Sequence, residues 1–416
     1  MLERVPLMEK SFADYAELIE PDAMERIQAL AAPLRGARVL HVNATAYGGG
    51  VAELLATHVP LLRDLGIEAE WQVIRGSDEF FHVTKAVHNG LQGADIEWTS
   101  AMEHVYLERV LSNAIEIEGE WDYVVIHDPQ PVALREYARG RSVDHSDTEW
   151  IWRCHIDLTD ANPDIWAFFK PFVEQHDAAV FTMPEFVPAS LDMDNVVLAP
   201  PCIDPFAAKN LELPEPFVRE ICRQYGVDVD RPILCQVSRF DPWKDPVGVI
   251  EAFRIVQESV PDVQLVLAGS MATDDPEGFH MWELTEEARA GDHSIHLLSN
   301  IQQVGAVQIN AFQRAADVVI QKSLREGFGL TVSEGFWKGR PVIGGRAGGI
   351  TIQIDEGKTG YLVDSIVECA QRSIELLENP LLADEMGMKG REHVRSNFLS
   401  TRELEDWLQL FTDVGS

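Results

Sequence analysis

The stretch that most constrains the fold is Arg325-Glu326-Gly327-Phe328-Gly329-Leu330-Thr331-Val332-Ser333-Glu334-Gly335-Phe336-Trp337-Lys338-Gly339. An apolar run, Asp317 to Ser323, precedes it and reads as a strand. A second short strand, Pro341 to Gly345, follows. After Gly329 the residues read as a helix ending near Gly339. Such a strand–glycine turn–helix–strand unit aims unpaired backbone N–H groups and the positive end of a helix dipole at one point, which favours an anion. Glu326 and Glu334 bracket that point. A carboxylate beside an anion site is unfavourable unless it binds something else, and a sugar hydroxyl is a suitable donor. The stretch reads as a site for a phosphorylated sugar or a sugar nucleotide. Taken alone, an ordinary βα turn with a solvated glutamate at each end fits it about equally well.

The N-terminal half carries a related pattern. After a lead-in with helical periodicity from Pro21 to Leu34, Arg38-Val39-Leu40-His41-Val42-Asn43 reads as a buried strand. Ala44-Thr45-Ala46-Tyr47-Gly48-Gly49-Gly50 follows, then an amphipathic helix from Val51 to Leu65 stopped by Gly66. The glycine triplet lets a ligand approach the backbone closely; a tight turn needing positive φ is the plainer explanation. It is not G-x-G-x-x-G and no acidic residue follows a suitable second strand, so a nicotinamide cofactor is a weak reading. Further strands are expected at Ala69–Ile74, Asp122–His127, Trp150–His155, Ala178–Thr182 and Asn195–Ala199. The alternation indicates a parallel sheet covered on both faces. His127-Asp128 and His155-Ile156-Asp157 fall at strand C-termini, where open α/β sheets bind ligands. His155 is the better functional candidate because its strand leads into a polar loop, although either histidine can be a hydrogen-bonded structural residue. A metal at His155 and Asp157 lacks a third ligand of recognisable spacing.

Pro200 to Phe206 reads as a crossing between domains, and Leu211 to Gly226 as a helix approaching the second one. There the pattern restarts. Ile233 to Arg239 is a strand, Phe240 to Lys244 a loop, and Asp245 caps a helix with Pro246 at its first position and its end near Ser259. Arg239 and Lys244 flank one strand exit, where two cations can clamp a diphosphate; two solvated surface cations are the alternative. Strands follow at Gln264–Gly269, Ser294–Leu298, the Val318 run, Pro341–Ile343 and Gly360–Val363. Asp355-Glu356-Gly357-Lys358-Thr359 ends like a P-loop, but Ile352 stands where that motif requires glycine and no helix follows, so it reads as a turn. Ser365 caps a helix to about Glu378, and Thr401 to Phe411 has apolar residues at helical spacing.

A chain of 416 residues suffices for two cores, and 46% hydrophobic with 25% charged residues is a soluble globular composition. No apolar run is long enough to span a bilayer, and Met1 to Lys10 is not a secretory signal. Cys154, Cys202, Cys222, Cys235 and Cys369 are scattered without a C-x-x-C pair, as expected of reduced thiols in a cytoplasmic protein. The net charge of -34 argues against nucleic acid and anionic membranes as partners. It does not argue against an anionic nucleotide, because a small pocket of Arg, Lys and amides can be locally positive.

Ser238-Arg239-Phe240 with Lys244, the glycine-rich first loop, and Glu326-Gly327-Phe328-Gly329-Leu330 ending in Glu334 together resemble the retaining GT-B glycosyltransferases of family 4, over nearly the whole chain. Within it, His41-Val42-Asn43-Ala44-Thr45, Tyr47 to Glu53, Trp152-Arg153-Cys154-His155-Ile156-Asp157 and Asp241 to Pro246 are most similar to the trehalose synthases of the glycosyltransferring type. The resemblance implies two doubly wound Rossmann-like domains facing across a deep cleft. Residues 1–205 would form the acceptor-side domain and 206–395 the domain binding a nucleoside diphosphate glucose. A terminal helix, about 396–416, would pack back on the first domain through Leu404, Trp407, Leu408 and Phe411. Arg239 and Lys244 would neutralise the departing diphosphate, helped by N–H groups near Gly329, Leu330 and Thr331. Glu326 would hold donor-sugar hydroxyls, with Glu334 on the ribose and Ser238, Gly327 and Phe328 shaping the donor side. Gly48, Gly49 and Gly50, with Asn43, Tyr47 and Asp128, would serve the acceptor and phosphates, and His155 would sit near the donor sugar. No bound metal is implied; magnesium would act through the nucleotide. A homodimer is compatible with all of this.

The implied reaction moves glucose from a uridine or adenosine diphosphate donor to free glucose, giving trehalose. A glucan chain or sugar phosphate as acceptor, or a regulator that binds sugar nucleotides without turnover, are the alternatives. The intact set of Arg239, Lys244, Glu326 and Glu334 weighs against the last.

Overall fold

The computed structural model describes residues 2–138, 147–271 and 276–415. They form two compact units. One runs through Cys202 and takes up the chain again from Ser400; the other spans Ile203–Leu399. The limits fall a few residues from 205/206 and 395/396, because Ile203 bridges Leu399 and donates its N–H to Phe398 O at 2.8 Å. The two crossing segments therefore stay together within the second unit.

The strands of the first unit are β1 (Glu3–Arg4), β2 (Arg38–Asn43), β3 (Glu68–Val73), β4 (Tyr123–His127), β5 (Glu149–Arg153), β6 (Ala178–Phe181) and β7 (Val196–Leu198). They are ordered β1-β3-β2-β4-β5-β6-β7, parallel throughout except for β1 against β3. The edge strand β1 lies in the lead-in and is too short to show a pattern in sequence. β5 stops at Arg153, short of the expected His155, because the His155 N–H leaves the ladder for the Asp128 carboxylate. β4 and β6 are buried at every residue, as strands covered by helices on both faces must be.

The second unit holds β8 (Ile233–Val237), β9 (Gln264–Gly269), β10 (Ile295–Ser299), β11 (Val318–Gln321), β12 (Val342–Gly345) and β13 (Gly360–Val363), ordered β10-β9-β8-β11-β12-β13 and all parallel. Asp245 caps the helix Pro246–Ser259 by accepting from Gly248 N, and Ser365 caps Ile366–Glu378 by accepting from Glu368 N. The helix expected from Leu211 begins only at Glu215, since Pro214 takes extended backbone and starts it. Asp355 to Thr359 is a turn, closed by Lys358 N to Asp355 O at 2.9 Å. All five cysteines are buried free thiols, and no helix among the described residues is long and apolar enough to cross a membrane.

The terminal helix, Ser400–Val414, completes the first unit's core. Leu404, Trp407, Leu408, Leu410 and Phe411 cluster there with Val39, Leu55, Val59 and Val125. Tyr123 Oη donates to Phe411 O at 2.8 Å. Polar anchors flank this apolar seam. Arg402 donates to Pro200 O and to Cys202 Sγ and pairs with Asp406, while the buried Arg153 donates to Ala199 O at 2.7 Å. Burial pushes the Glu403 carboxyl up to about 7, against the pull of Arg402 and Arg153. Trp407 is 3% exposed. Trp407→Ala should cost about 3–5 kcal/mol of the first unit's stability, the usual loss for a buried aromatic. A urea midpoint matching wild type would show that the helix lies on this core without supporting it.

Candidate active site

In each sheet the order of strand addition reverses once, between β2 and β4 and between β8 and β11. At such a switch the crossovers leave in opposite directions and open a crevice at the strand C-termini, where α/β sheets bind ligands. The residues singled out in sequence leave these strands or their neighbour β5.

In the second unit, the loop after β8 carries Lys244 and the loop after β11 carries Glu326. Lys244 Nζ lies 2.6 Å from Glu326 Oε2, with both side chains largely buried. The same oxygen accepts from Ser323 Oγ at 3.1 Å and lies 3.4 Å from Gln321 Nε2. Gln236, on β8, braces the lysine by donating to its carbonyl at 2.8 Å and also reaches Ser238 Oγ at 3.2 Å. Leu324 N donates to Trp243 O at 2.8 Å, tying the two loops, and Arg325 stacks on the Trp243 ring. Lys322 is paired with Asp245. Arg239 is not brought onto Glu326: it is half exposed and meets Asp241 Oδ2 at 3.3 Å.

The helix Leu330–Trp337 starts beside this cluster. Gly329 supplies the left-handed turn before it, with φ 82°, and a side chain there would crowd Glu326. The N–H groups of the first turn, Leu330 and Thr331 among them, have no partner inside the helix. Thr331 Oγ1 donates to Val237 O at 3.1 Å and pins that turn to the end of β8. Phe328 is buried against Phe398, and the chain passes Gly327 closely enough that a side chain at Gly349 would strike its carbonyl. One turn on, Glu334 is buried. Its Oε1 pairs with Lys209 at 3.0 Å, and its Oε2 has no hydrogen-bond partner among the described residues. Burial opposes its charge, but Lys209 and Lys338 hold its carboxyl below the ordinary value. Burial pushes the Lys338 ammonium down to about 7 while Glu334 pulls it the other way.

In the first unit, Gly48 (φ 81°) turns the chain into the helix Gly50–Asp64, and Tyr47 beside it is 77% exposed. A side chain at Gly48 or Gly49 would meet nothing within 4 Å, so the triplet borders open space. Asn43 is buried and shapes this loop: it donates to Thr45 O and accepts from Trp71 Nε1, both at 2.7 Å. Asp128 has left-handed backbone, φ 65°. Its Oδ1 accepts from His155 N at 2.8 Å, and its carbonyl accepts from Trp152 Nε1 at 3.1 Å. Burial pushes its carboxyl up to about 6, against the His155 N–H and the charge of Arg153. The His155 ring meets His127 at 2.9 Å.

Two family descriptions match these regions: "Trehalose synthase, N-terminal domain" over residues 41–188 and "Glycosyl transferases group 1" over residues 217–393. The trehalose synthase of Rubrobacter xylanophilus is 51% identical over 414 residues, 99% of each chain. The chain belongs to the trehalose synthase family. The family's enzyme from Thermococcus litoralis is 47% identical over 403 residues, 96% of each chain. An α,α-trehalose-phosphate synthase (UDP-forming) from Burkholderia xenovorans, solved with glucose-6-phosphate, matches with a TM-score of 0.71 at 14% identity, over 92% of this chain and 100% of that one. That likeness shows the fold, the paired Rossmann-like domains of GT-B glycosyltransferases. Membership of the trehalose synthase family makes the protein a trehalose-related glycosyltransferase.

Sequence reading assigned no role to Lys209, Gln321, Ser323 and Lys322, which the structure brings into this cluster. Their roles come from strand register and from the return of the crossing segment. Only the scarcity of cations in the chain could have drawn attention to the two lysines.

Asp128 gives a test with a defined sign. A carboxyl raised from 3.8 to about 6 favours folding below the lower value and loses that contribution as pH climbs through the upper one. Asp128→Asn keeps an oxygen for the His155 N–H and does not titrate. Wild-type stability relative to the variant should fall between about pH 4 and pH 6, by on the order of 2 kcal/mol, and stay level above. Denaturant melts of both proteins across that range check it; a difference independent of pH would refute it.

Proposed function

We propose that the protein transfers glucose from a nucleoside diphosphate glucose to free glucose, with retention at the anomeric carbon, and so forms trehalose. The observation that carries this is the 2.6 Å pairing of Lys244 with Glu326 beside the start of the helix Leu330–Trp337. A cation suited to phosphate and a carboxylate suited to sugar hydroxyls are held together next to unpaired helix N–H groups. A sugar joined to a diphosphate presents those two chemistries side by side.

In this reading Arg239 and Lys244 neutralise the diphosphate as negative charge grows on it, and the amides of Gly329, Leu330 and Thr331 add dipoles that need no reorganisation. Glu326 accepts from donor-sugar hydroxyls. Glu334 Oε2, buried and without a hydrogen-bond partner among the described residues, suits a ribose hydroxyl. Gly48, Gly49 and Gly50, with Asn43, Tyr47 and Asp128, serve the acceptor and phosphates, and His155 lies near the donor sugar. The acceptor oxygen bonds to the anomeric carbon on the face the phosphate leaves. The carbon–phosphate oxygen bond breaks, and the acceptor proton passes to the departing phosphate.

Labelled uridine and adenosine diphosphate glucose, each offered with glucose, glucose 6-phosphate or glycogen, test the proposal. Label should enter trehalose when glucose is present. Label in a phosphorylated disaccharide or in glycogen instead would overturn the acceptor, and no transfer from either donor would overturn the reaction.

Glu326→Ala should lose most transfer, on the order of 100-fold or more, with an unchanged circular dichroism spectrum. Near-normal turnover would remove Glu326 from the site. Arg239→Ala and Lys244→Ala should each weaken donor use by orders of magnitude and leave the KM for glucose nearly unchanged. Wild-type donor kinetics in either variant would mark that residue as an ordinary surface cation.

A further inference from the structure

Three histidines of the first unit form one hydrogen-bonded chain across adjacent strands. His41 lies on β2, His127 ends β4, and His155 follows β5. His41 is aligned with Val125 and His127 with Arg153, so each successive histidine stands two residues further along, on the same sheet face. His41 Nδ1 is 3.0 Å from His127 Nε2, and His127 Nδ1 is 2.9 Å from His155 Nε2. Consecutive rings are stacked with centroids 5.3 Å apart. The inner end packs edge-on against His58 and Trp407, and His41 Nε2 has no hydrogen-bond partner among the described residues. The outer end is the partly exposed His155, whose backbone N–H donates to the Asp128 carboxylate. Burial drives all three imidazoles to titrate well below their ordinary value, His155 with help from Arg153, so the chain is neutral.

A neutral imidazole has one N–H and one lone pair, so the chain can run only one of two ways. Run inward, it leaves a buried His41 Nε2–H with no acceptor. Run outward, it leaves a buried lone pair instead. Orphaned buried donors are the rarer of the two in folded proteins. The outward direction places an Nδ1–H on each ring.

We propose that His127 and His41 are positioning residues that lock His155 in its Nδ1–H tautomer, so that its ring offers a hydrogen-bond donor at the edge carrying Asp128 and the Gly48–Gly50 loop. Such a donor suits a sugar or phosphate oxygen. It has no lone pair to take a proton from an attacking hydroxyl, so the His155 ring is excluded as the general base. The effect on turnover rests on the transferase reading above; the tautomer does not.

Nitrogen-15 spectra of the histidine rings in the full-length protein test the tautomer directly, with His155 assigned by its loss in His155→Gln. The expected signal is a single Nδ1–H form. An Nε2–H form, or a mixture, in the wild type overturns the proposal whatever the enzyme's activity. In His127→Phe, His155 should become a tautomer mixture. Its kcat for trehalose formation should fall by about 10-fold or more, with both KM values within about 2-fold of wild type. His127→Asn, whose amide N–H can donate in place of Nδ1–H, should restore the single tautomer and most of kcat. A folded His127→Phe with an unchanged His155 tautomer, or failure of His127→Asn to recover both readouts, overturns the positioning role. Absence of transfer in the wild type would count against the transferase reading alone and leave the spectra to decide the tautomer.

Discussion

Strand direction is the constraint on which the rest depends. With every sheet neighbour but β1 parallel, each crossover must return along a face, and every loop that follows a strand emerges at one edge. The reversal of strand order then spreads two of those loops apart at a crevice. Lys244 and Glu326 are 82 residues apart in sequence and meet only because β8 and β11 are neighbours across that reversal. Asp128 and His155 meet because β4 and β5 are neighbours. A hairpin-connected sheet would alternate its loop ends and separate both pairs.

The electrostatics follow from the same placement. The chain carries a net charge of -34, yet Lys209, Arg239, Lys244, Lys322, Arg325 and Lys338 gather near the second unit's strand ends. Four carboxylates meet four of these cations there: Glu334 with Lys209, Asp241 with Arg239, Glu326 with Lys244 and Asp245 with Lys322. All but the half-exposed Arg239 pair are largely buried and contribute little net stability, because desolvation offsets their attraction. Their contribution is geometric. They hold long, flexible cations in place without a ligand, so less side-chain entropy is lost when an anion binds.

Much of this was legible from local chemistry. Asp245 followed by Pro246, Ser365 before its helix, and Gly329 after a buried strand are signals a few residues long, and the structure forms the expected cap or turn at each. Pairing across strands was not legible. The contact of His41 with His127 requires the offset between β2 and β4, and that of Lys209 with Glu334 requires the crossing segment to lie along the helix Leu330–Trp337. Strand ends were also overrun. Buried residues continue to Thr182 and Ser323 after the ladder has stopped, because burial persists there when pairing does not. The left-handed backbone of Asp128 leaves no trace in a single sequence, since aspartate is common in ordinary turns as well.

Asp128 sets much of the chemistry at the first unit's strand ends. Left-handed backbone is unfavourable for a residue with a side chain, by roughly 1–2 kcal/mol, and aspartate tolerates it better than most. Here it is over-determined: the Asp128 N–H goes to Arg153 O, the carbonyl accepts from Trp152, and the carboxylate accepts from His155 N. The strain aims one oxygen of an acid at the backbone of the next strand's loop. Above the raised titration point that acid is charged, while the neighbouring histidine chain stays neutral. The first unit's edge thus presents the Asp128 carboxylate, a neutral imidazole, exposed glycine backbone and the start of the helix Gly50–Asp64, a set suited to sugar hydroxyls. The second unit's edge presents cations and helix amides. The proposed reaction needs both kinds of chemistry, an acceptor made of hydroxyls and a leaving group made of phosphates, and in that reading the cations that face the phosphates come from the second sheet.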